Sequence, residues 1–245
     1  MRVAFLGATR GMGRALARLM AARGDALFLL GRDTAELERS ARDLELRAGQ
    51  GKVGCAECDL ERPEGFAAAL DAAESGLGGL DTVVVTAGMF APQEKLEQDP
   101  GLLGRLLAVD FGHTVLFCEE ARKRLLARGG GTLCVFSSVA GERGRKPVVL
   151  YGAAKAGLTR YLEGLDHKYR AQGLRCVCVK PGFVKTSMTD GMRPPPFAGE
   201  PEGVARVVLK AIDHGAPVVY APPIWALVML AIRWLPRAVM RRIQF

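Results

Sequence analysis

The sequence predicts an α/β fold in which a doubly wound, seven-stranded parallel sheet carries helices on both faces. Short apolar runs alternate with longer amphipathic stretches, and the apolar runs are bounded by Gly or Asp. Buried parallel strands are near-continuous apolar runs, and regular strand–helix alternation places such strands side by side in one sheet. The chain has 245 residues, of which 49% are hydrophobic, so it is large enough for one core. We therefore expect a single domain over residues 1–245.

Seven apolar runs have the length and composition of buried strands: residues 3–6, 26–30, 53–55, 82–86, 132–136, 175–179 and 218–220. Six stretches between and after them have helical character: residues 12–23, 34–47, 63–75, 101–128, 152–171 and 201–214. We find no internal repeat and no linker polar enough to divide the chain.

Charge and cysteine content exclude several classes of protein. The net charge is +8, but the arginines are spread over predicted helix surfaces without interleaved aromatic residues, so we expect no nucleic-acid partner. Cys55 and Cys58 form a lone C-x-x-C, and the three histidines are not at ligand spacing, so we expect structural thiols and no metal. An apolar run follows Met1 almost directly without a signal-peptide pattern, which favours a cytoplasmic protein.

A glycine-rich turn joins the first strand to the first helix. Gly7, Gly11 and Gly13 are spaced G-x-x-x-G-x-G. Glycines at this place let backbone N–H groups approach a pyrophosphate, and the helix N-terminus adds about half a positive charge. Glycines would also suit tight strand–helix packing alone, but the strand–turn–helix context favours a Rossmann-like dinucleotide site.

The end of the second strand indicates which dinucleotide binds. An acid here would accept from the ribose 2′-OH of NAD, whereas a guanidinium would bind the 2′-phosphate of NADP. Arg32 stands at this position and Arg10 lies inside the glycine turn. Asp33 is the residue that would favour NAD, but it also precedes a helix and suits an N-cap. These residues favour NADP(H).

A tyrosine and a lysine open the helix that follows the fifth strand. Tyr151 and Lys155 are four residues apart and therefore share one helix face. A nearby ammonium lowers the pKa of a phenol and makes it usable as an acid–base group. Ser138 follows the fifth strand, whose carboxyl end faces the ligand crevice of an open sheet. Together with the glycine turn, these residues indicate catalysis.

With these motifs the chain resembles the short-chain dehydrogenase/reductase family along essentially its whole length. The resemblance implies that Ser138, Tyr151 and Lys155 are catalytic, and that Asp59 and Leu60 contact adenine. It also implies that the segment from Pro181 to Thr186 holds the nicotinamide. The full set of implied cofactor-binding residues is Gly7, Thr9, Arg10, Gly11, Met12, Gly13, Arg32, Asp59, Leu60, Ala87, Gly88, Tyr151, Lys155, Pro181, Gly182, Val184 and Thr186.

Two positions depart from the family pattern. The N-N-A-G segment reads Val85, Thr86, Ala87, Gly88, so the strand-supporting Asn is lost. Asp110 stands where the family has an Asn that completes a catalytic tetrad and holds a water. An ionised Asp accepts hydrogen bonds but cannot donate them. Asp110 could still hold the water, or it could pair with the Lys155 ammonium, which would raise the pKa of Lys155. We hypothesise slower or pH-shifted turnover.

The resemblance implies carbonyl reduction with hydride from NADPH. Ser138 would donate a hydrogen bond to the carbonyl oxygen, and Tyr151 would protonate that oxygen. Lys155 would hold the nicotinamide ribose, and Thr186 would orient the carboxamide. A non-catalytic NADP-binding module is the alternative, and Asp110 is the feature in its favour.

Two segments should shape the substrate site. The loop 187–199 is apolar and Pro-rich and suits a lid, although a plain surface loop has a similar composition. Residues 221–245 form a hydrophobic, basic tail in which 224–232 is an unbroken apolar run. That run is shorter than the roughly 20 residues of a membrane span. The segment 224–245 fits a helix in a membrane interface, or a tail packed on the site or on a second subunit.

The segments 220–242 and 137–143 resemble the subgroup that contains decaprenylphosphoryl 2-keto-pentose reductases. This resemblance implies a lipid-linked ketone such as a polyprenyl-phosphate keto sugar, reduced by an enzyme peripheral to the inner face of the membrane. A 3-ketoacyl or 3-ketosphinganine-type lipid reductase is the alternative. Lys185 and Arg193 could contact a phosphate or be surface cations. We expect a homodimer or homotetramer formed through helices 101–128 and 152–171.

Overall fold

The computed structural model describes residues 1–48, 53–191 and 193–243 and contains the predicted seven-stranded parallel sheet in that part of the chain. The strand order is β3-β2-β1-β4-β5-β6-β7, and every pairing is parallel. The strands are β1 Arg2–Leu6, β2 Ala26–Gly31, β3 Gly54–Glu57, β4 Thr82–Val85, β5 Gly131–Phe136, β6 Leu174–Pro181 and β7 Val218–Ala221. All seven predicted strands are confirmed within one or two residues.

The helices follow the predicted alternation. They are α1 Gly11–Ala22, α2 Thr34–Ala48, α3 Phe66–Leu77, α4 Gln93–Gln98, α5 Pro100–Leu107, α6 His113–Ala127, α7 Val149–Tyr169, α8 Pro201–His214, α9 Ile224–Trp234 and α10 Arg237–Met240. The helix predicted over 101–128 is interrupted, because the π-helical segment Ala108–Gly112 joins α5 to α6. Short α4 has no counterpart among the predicted helices.

Alternate residues of each strand supply two separate cores. Val3 and Phe5 of β1 face a cluster that includes Leu16 of α1 and Val208 of α8. Ala4 and Leu6 face the opposite side, where α3, α6 and α7 pack. The strand period of two sends neighbouring side chains to opposite faces, so both faces must be covered. Burying one such Leu or Phe side chain contributes roughly 1.5–3 kcal/mol.

The topology opens a crevice at the carboxyl ends of β1 and β4. Strand β1 pairs with β2 on one side and with β4 on the other, so the chain winds outward in both directions from this point. Ligands of open α/β sheets bind at such a switch point, because the connections leaving the two strands diverge. The glycine turn that follows Leu6 lies at this crevice.

The cysteines are part of the cores. Cys58, Cys118, Cys134, Cys176 and Cys178 are buried, and burial raises the pKa of each of these thiols. Among residues 1–48, 53–191 and 193–243, no group of His, Cys, Asp and Glu could hold a metal ion.

The C-terminal tail forms a helix against the main body. Trp225, Met229 and Ile232 on one face of α9 are buried against Val139. The opposite face exposes Leu227, which is 66% exposed. Gln244 and Phe245, at the end of the predicted tail, lie outside the described residues. The segment 100–127 is long and apolar enough to cross a membrane, but its second part, α6, packs on the sheet, and a core helix passes the same test.

Candidate active site

The glycine turn is shaped by close backbone packing. Gly7 has φ +97°, and a Cβ there would lie 2.5 Å from the Ala87 backbone nitrogen. A Cβ on Gly13 would overlap the Gly7 carbonyl oxygen. Thr86 donates a hydrogen bond to that oxygen over 2.8 Å, so the Thr that replaces the family's Asn still ties β4 to the turn.

The N-terminus of α1 opens onto the crevice. The helix begins at Gly11, and Arg10 at its N-cap makes no side-chain capping bond in the described structure. Gly11, with φ +50°, allows the chain to turn into the helix. The first N–H groups of a helix and its dipole attract a phosphate. This end of α1 therefore has the geometry of a pyrophosphate site.

A cleft of about 410 Å³ extends from the turn across the ends of β1, β2 and β4. Its position beside the glycine turn suits the adenosine half of a dinucleotide whose pyrophosphate lies at the turn and the N-terminus of α1. Eight of the residues that the resemblance implicates line it: Gly7, Thr9, Arg10, Arg32, Asp59, Leu60, Ala87 and Gly88.

Two charged residues follow β2: Arg32, whose side chain is mostly exposed, and Asp33, which caps α2. The Arg32 side chain is 72% exposed, and its ion pair with Glu61 is long, at 3.9 Å. Glu61 makes a closer pair with Arg105, at 2.7 Å. Asp33 accepts a hydrogen bond from the Glu36 backbone N–H over 3.0 Å, which confirms its predicted role as a helix cap.

The three predicted catalytic side chains lie around a second cavity, of about 340 Å³. Ser138 ends the extended segment after β5, and its Oγ accepts a hydrogen bond from the Ala140 N–H over 3.1 Å. Tyr151 and Lys155 lie one turn apart on α7, with the Lys155 Nζ 5.6 Å from the Tyr151 ring centre. Ser137 fixes α7 against the strand by donating to the Lys155 carbonyl over 3.0 Å.

Asp110 lies in the π-helical segment and faces this group. Its side chain is 0% exposed, and Oδ1 lies 3.5 Å from the Lys155 Nζ. The same oxygen accepts a hydrogen bond from the Met89 N–H over 2.8 Å. Within the described residues Oδ2 has no hydrogen-bond partner. Gly88 makes room for the carboxylate, because a Cβ there would lie 2.8 Å from Oδ1.

This buried group has perturbed acidities. Burial raises the pKa of Asp110, although Lys155 and the Met89 N–H oppose the rise. Burial lowers the pKa of Lys155, but Asp110, together with Tyr151 and Cys178, offsets this and leaves that pKa raised, as the sequence predicts. Burial also raises the pKa of Tyr151, and Lys155 reduces that rise without reversing it. Lys155 therefore acts on the phenol pKa in the predicted direction, but burial is larger and leaves the pKa of Tyr151 above its ordinary value.

The remaining predicted cofactor residues lie at the junction of the two cavities. Pro181, Gly182, Val184 and Thr186, together with Met12, line the second cavity. The Thr186 methyl lies against the glycine turn, 3.2 Å from where a Cβ of Gly11 would stand. The predicted nicotinamide segment and the predicted phosphate turn are therefore in contact.

The loop 187–199, which is the predicted lid loop, lines the second cavity with Met188, Thr189 and Pro195, and α9 lines it with Trp225. Lys185 N–H and the Gly199 carbonyl are hydrogen-bonded over 2.9 Å and close the base of the loop. Trp225 of α9 donates to the Phe197 carbonyl over 3.3 Å, and its indole lies where a Gly182 Cβ would be. Met192 of this loop lies outside the described residues.

Among the residues of this cavity that the sequence does not predict are a cation and an indole. Arg145 and Trp225 both line it, but neither belongs to a motif, and only the Trp stands in the segment expected to shape the site. Lys185 and Arg193, the predicted phosphate contacts, are not among its lining residues. Lys185 instead pairs with Glu200 over 2.6 Å.

Comparisons with known proteins agree with this geometry. The sequence profile of the short chain dehydrogenase family matches residues 2–196. An uncharacterized oxidoreductase of Mycobacterium tuberculosis is 34% identical, over 98% of this chain and 96% of its own length. Carbonyl reductase family member 4 of Xenopus laevis is 26% identical, over 86% of this chain and 90% of its own.

The fold is similar to that of a solved structure. A short chain dehydrogenase from Mycobacterium paratuberculosis, bound to NAD, superposes with a TM-score of 0.78 at 24% identity, and the match covers 89% of this chain and 95% of the other.

Proposed function

This chain belongs to the short-chain dehydrogenase/reductase family, and on that premise we propose that it is an NADP(H)-dependent reductase of a ketone carried on a lipid-linked or lipid-like substrate. One observation carries the proposal: Ser138, Tyr151 and Lys155 converge on an apolar cavity that adjoins the nucleotide cleft. A non-catalytic binding module would not need this convergence. The activity that the family establishes is oxidoreduction with a nicotinamide dinucleotide.

The preference for NADP(H) rests on the charge at the end of β2. Arg10 and Arg32 line the nucleotide cleft, and Arg32 extends into solvent with only a long ion pair. Asp33, the acid that could instead bind a ribose 2′-OH, is engaged as a helix cap. A guanidinium binds a phosphate through charge-assisted bidentate hydrogen bonds. NAD is the competing cofactor, since one structural relative binds it.

The cofactor would be held by the residues of both cavities. The glycine turn and the α1 N-terminus would bind the pyrophosphate, Asp59 and Leu60 the adenine, and the segment from Pro181 to Thr186 the nicotinamide. When bound, the reduced nicotinamide supplies hydride to the carbonyl carbon. The remaining chemistry is proton transfer and charge stabilisation by the protein.

Three side chains would perform that chemistry at the carbonyl oxygen. Ser138 donates a hydrogen bond to the oxygen, where negative charge develops. Tyr151 gives the same oxygen a proton, and its raised pKa keeps the phenol protonated at neutral pH. Lys155 keeps a positive charge beside Tyr151 and holds the nicotinamide ribose, and Asp110 positions Lys155.

The apolar cavity supports a lipid-like substrate. Its walls include Phe136 of β5, Met188 and Pro195 of the lid loop, and Trp225 of α9. A cavity of this kind suits a polyprenyl-phosphate keto sugar, and the same walls suit a 3-ketoacyl or 3-ketosphinganine-type lipid, which is the alternative substrate class.

The tail supports peripheral contact with an anionic membrane through residues 224–245. The outer face of α9 exposes Leu227, Leu230 and Trp234, the last 81% exposed. The segment after it carries exposed arginines and no acid. Apolar side chains beside arginines suit a helix lying in the headgroup region. We place the protein in the cytoplasm, at the inner face of the membrane, as one domain that assembles into a homodimer or homotetramer.

Titration of NADPH and NADH on wild type and on Arg32→Ala tests the proposal. We expect wild type to prefer NADPH, and Arg32→Ala to weaken NADPH binding about tenfold or more while leaving NADH unchanged, since hydrogen bonds between charged groups contribute about 1.5–3 kcal/mol. Arg42→Ala is the matched control, because Arg42 lies on α2 and pairs with Glu38 outside the cleft. Wild-type protein that binds neither nucleotide, or binds NADH as tightly as NADPH, would refute the assignment.

A further inference from the structure

The described lining of the nucleotide cleft contains more acidic than basic side chains. Its charged residues are Arg10, Arg32 and Arg105, and Asp33, Glu36, Asp59 and Glu61. A carboxylate close to a bound 2′-phosphate opposes binding, because like charges repel each other. Selectivity for NADP(H) therefore depends on how these acids are paired as well as on the arginines that contact the phosphate.

Two of the acids pair with arginines that lie outside the lining of the cleft. Glu36 pairs with Arg14 over 3.0 Å and with Arg39 over 2.6 Å. Asp59 pairs with Arg62 over 3.6 Å. The charges of these two acids are therefore offset without the use of a cation from the lining.

Glu61 differs from these acids, because both of its arginine partners line the cleft. Arg105 of α5 donates from Nε and Nη2 to the two carboxylate oxygens, over 3.0 and 2.7 Å. The Arg32 Nη1 lies 3.9 Å from the oxygen that accepts from the Arg105 Nη2. Two arginines thus compete for one carboxylate, and the two-pronged contact of Arg105 occupies both of its oxygens.

The packing of α5 fixes the place of Arg105 at the cleft. Leu106, the next residue, is 0% exposed and belongs to one buried cluster with Leu96 of α4 and Ala154 of α7. The backbone that carries Arg105 is therefore anchored on two other helices. Its contact with Glu61 is formed before a nucleotide binds.

We propose that Arg105 is a specificity-determining residue that holds Glu61 away from Arg32 and so leaves the Arg32 guanidinium available for the 2′-phosphate of NADP(H). The inference rests on the proposed function, since it takes Arg32 as the phosphate contact. Without the Arg105 charge, Glu61 would pair with Arg32 and would leave an additional negative charge beside the phosphate. Both effects weaken NADP(H) binding and leave NAD(H) binding unchanged, because NAD(H) has a hydroxyl group at that position.

The experiment measures the dissociation constants of NADPH and NADH by fluorescence titration. The variants are Arg105→Gln, Arg105→Lys, Glu61→Gln and the double variant Arg105→Gln/Glu61→Gln. Arg42→Gln is the matched control for net charge, because Arg42 pairs with Glu38 on α2 outside the cleft. The Arg105 and Glu61 side chains are 55% and 32% exposed, so we expect all of these proteins to fold.

We expect Arg105→Gln to weaken NADPH binding about threefold to fivefold relative to NADH binding, which is the range of an exposed ion pair. Arg105→Lys should keep most of the NADPH preference, and Arg42→Gln should equal wild type. Glu61→Gln should bind NADPH at least as tightly as wild type. The double variant should equal Glu61→Gln, because Arg105 then has no carboxylate to hold.

Three outcomes would overturn the proposal. Arg105→Gln could leave the NADPH preference unchanged, or it could weaken both nucleotides equally, which would show a structural role. It could also weaken NADPH binding as much in the Glu61→Gln background as alone, which would make Arg105 a direct phosphate contact. Wild-type protein without a preference for NADPH, which is measured first, would instead refute the cofactor assignment of the proposed function.

Discussion

Replacing Asp110 by Asn removes a buried negative charge from the catalytic group while preserving its shape. The carboxylate lies 3.5 Å from the Lys155 Nζ and accepts a hydrogen bond from the Met89 N–H. An amide oxygen can accept that same bond, so the fold around Gly88 should not change. The substitution therefore isolates the effect of the charge on its titratable neighbours.

The expected effect follows from Coulomb's law. At an effective dielectric constant of about 20, two unit charges at the observed separation interact by about 5 kcal/mol. The charge therefore stabilises the Lys155 ammonium, and Asp110→Asn should lower the pKa of Lys155. Burial and Lys155 both act on Tyr151 more strongly than Asp110 does. We therefore expect Asp110→Asn to lower the pKa of Tyr151, since the Asp110 charge raises it.

Both pH profiles should move to lower pH, but the rate changes with pH in opposite senses in the two directions of the reaction. Carbonyl reduction requires protonated Tyr151, so its rate falls as pH rises through the phenol pKa, and this fall should move to lower pH in Asp110→Asn. Alcohol oxidation requires the phenolate, so its rise with pH should also begin at lower pH. The pH dependence of kcat in both directions measures the shift. Tyrosinate absorbance, corrected with Tyr151→Phe, measures it without a substrate.

A control variant shows whether the shift is specific to the carboxylate at position 110 or follows from neutralising any buried carboxylate. Asp166→Asn changes another buried carboxylate, one that pairs with Arg170 away from the catalytic cavity. Its pH profile should equal that of wild type. Identical profiles for Asp110→Asn and wild type would refute the assignment of Asp110 as a positioning residue. A fall in kcat without a shift would show that the carboxylate acts through structure alone.

Two further predictions concern the contact between the tail and the site. Gly182→Ala inserts a Cβ into the indole of α9, and we expect it to lower the free energy of unfolding by about 1–3 kcal/mol, as overpacking does. Gly203→Ala, whose Cβ would meet a side-chain atom only at 4.0 Å, is the control and should be neutral or stabilising in urea denaturation. Glu142→Gln removes the partner of buried Lys180, 2.5 Å away, and of Arg233 on α9. We expect this change to lower the free energy of unfolding by about 3–5 kcal/mol, because it leaves a buried charge without its partner. A decrease no larger than that caused by breaking an exposed pair such as Arg42–Glu38 would show that the ion pairs of Glu142 do not hold the tail.

The fold and most of the candidate site could be predicted because their causes are local in the sequence. Buried parallel strands require apolar runs, and the turn after β1 requires glycines at Gly7 and Gly13, where any side chain would overlap backbone. Tyr151 and Lys155 share a face because one helical turn separates them. The cap at Asp33 is local for the same reason, since its partner Glu36 is three residues away.

Other features depend on segments that are distant in the sequence. The pKa of Tyr151 was expected to fall, but its value reflects burial by several elements, which local spacing does not contain. The pairing of Asp110 with Lys155 joins the π-helical segment to α7, two elements that are distant in the sequence. Arg145 and Trp225 reach one cavity from different elements, through packing of α9 on the loop after β5. Sequence periodicity determines which residues form strands, helices and turns, whereas burial and charge at the site depend on three-dimensional packing between elements that no local pattern specifies.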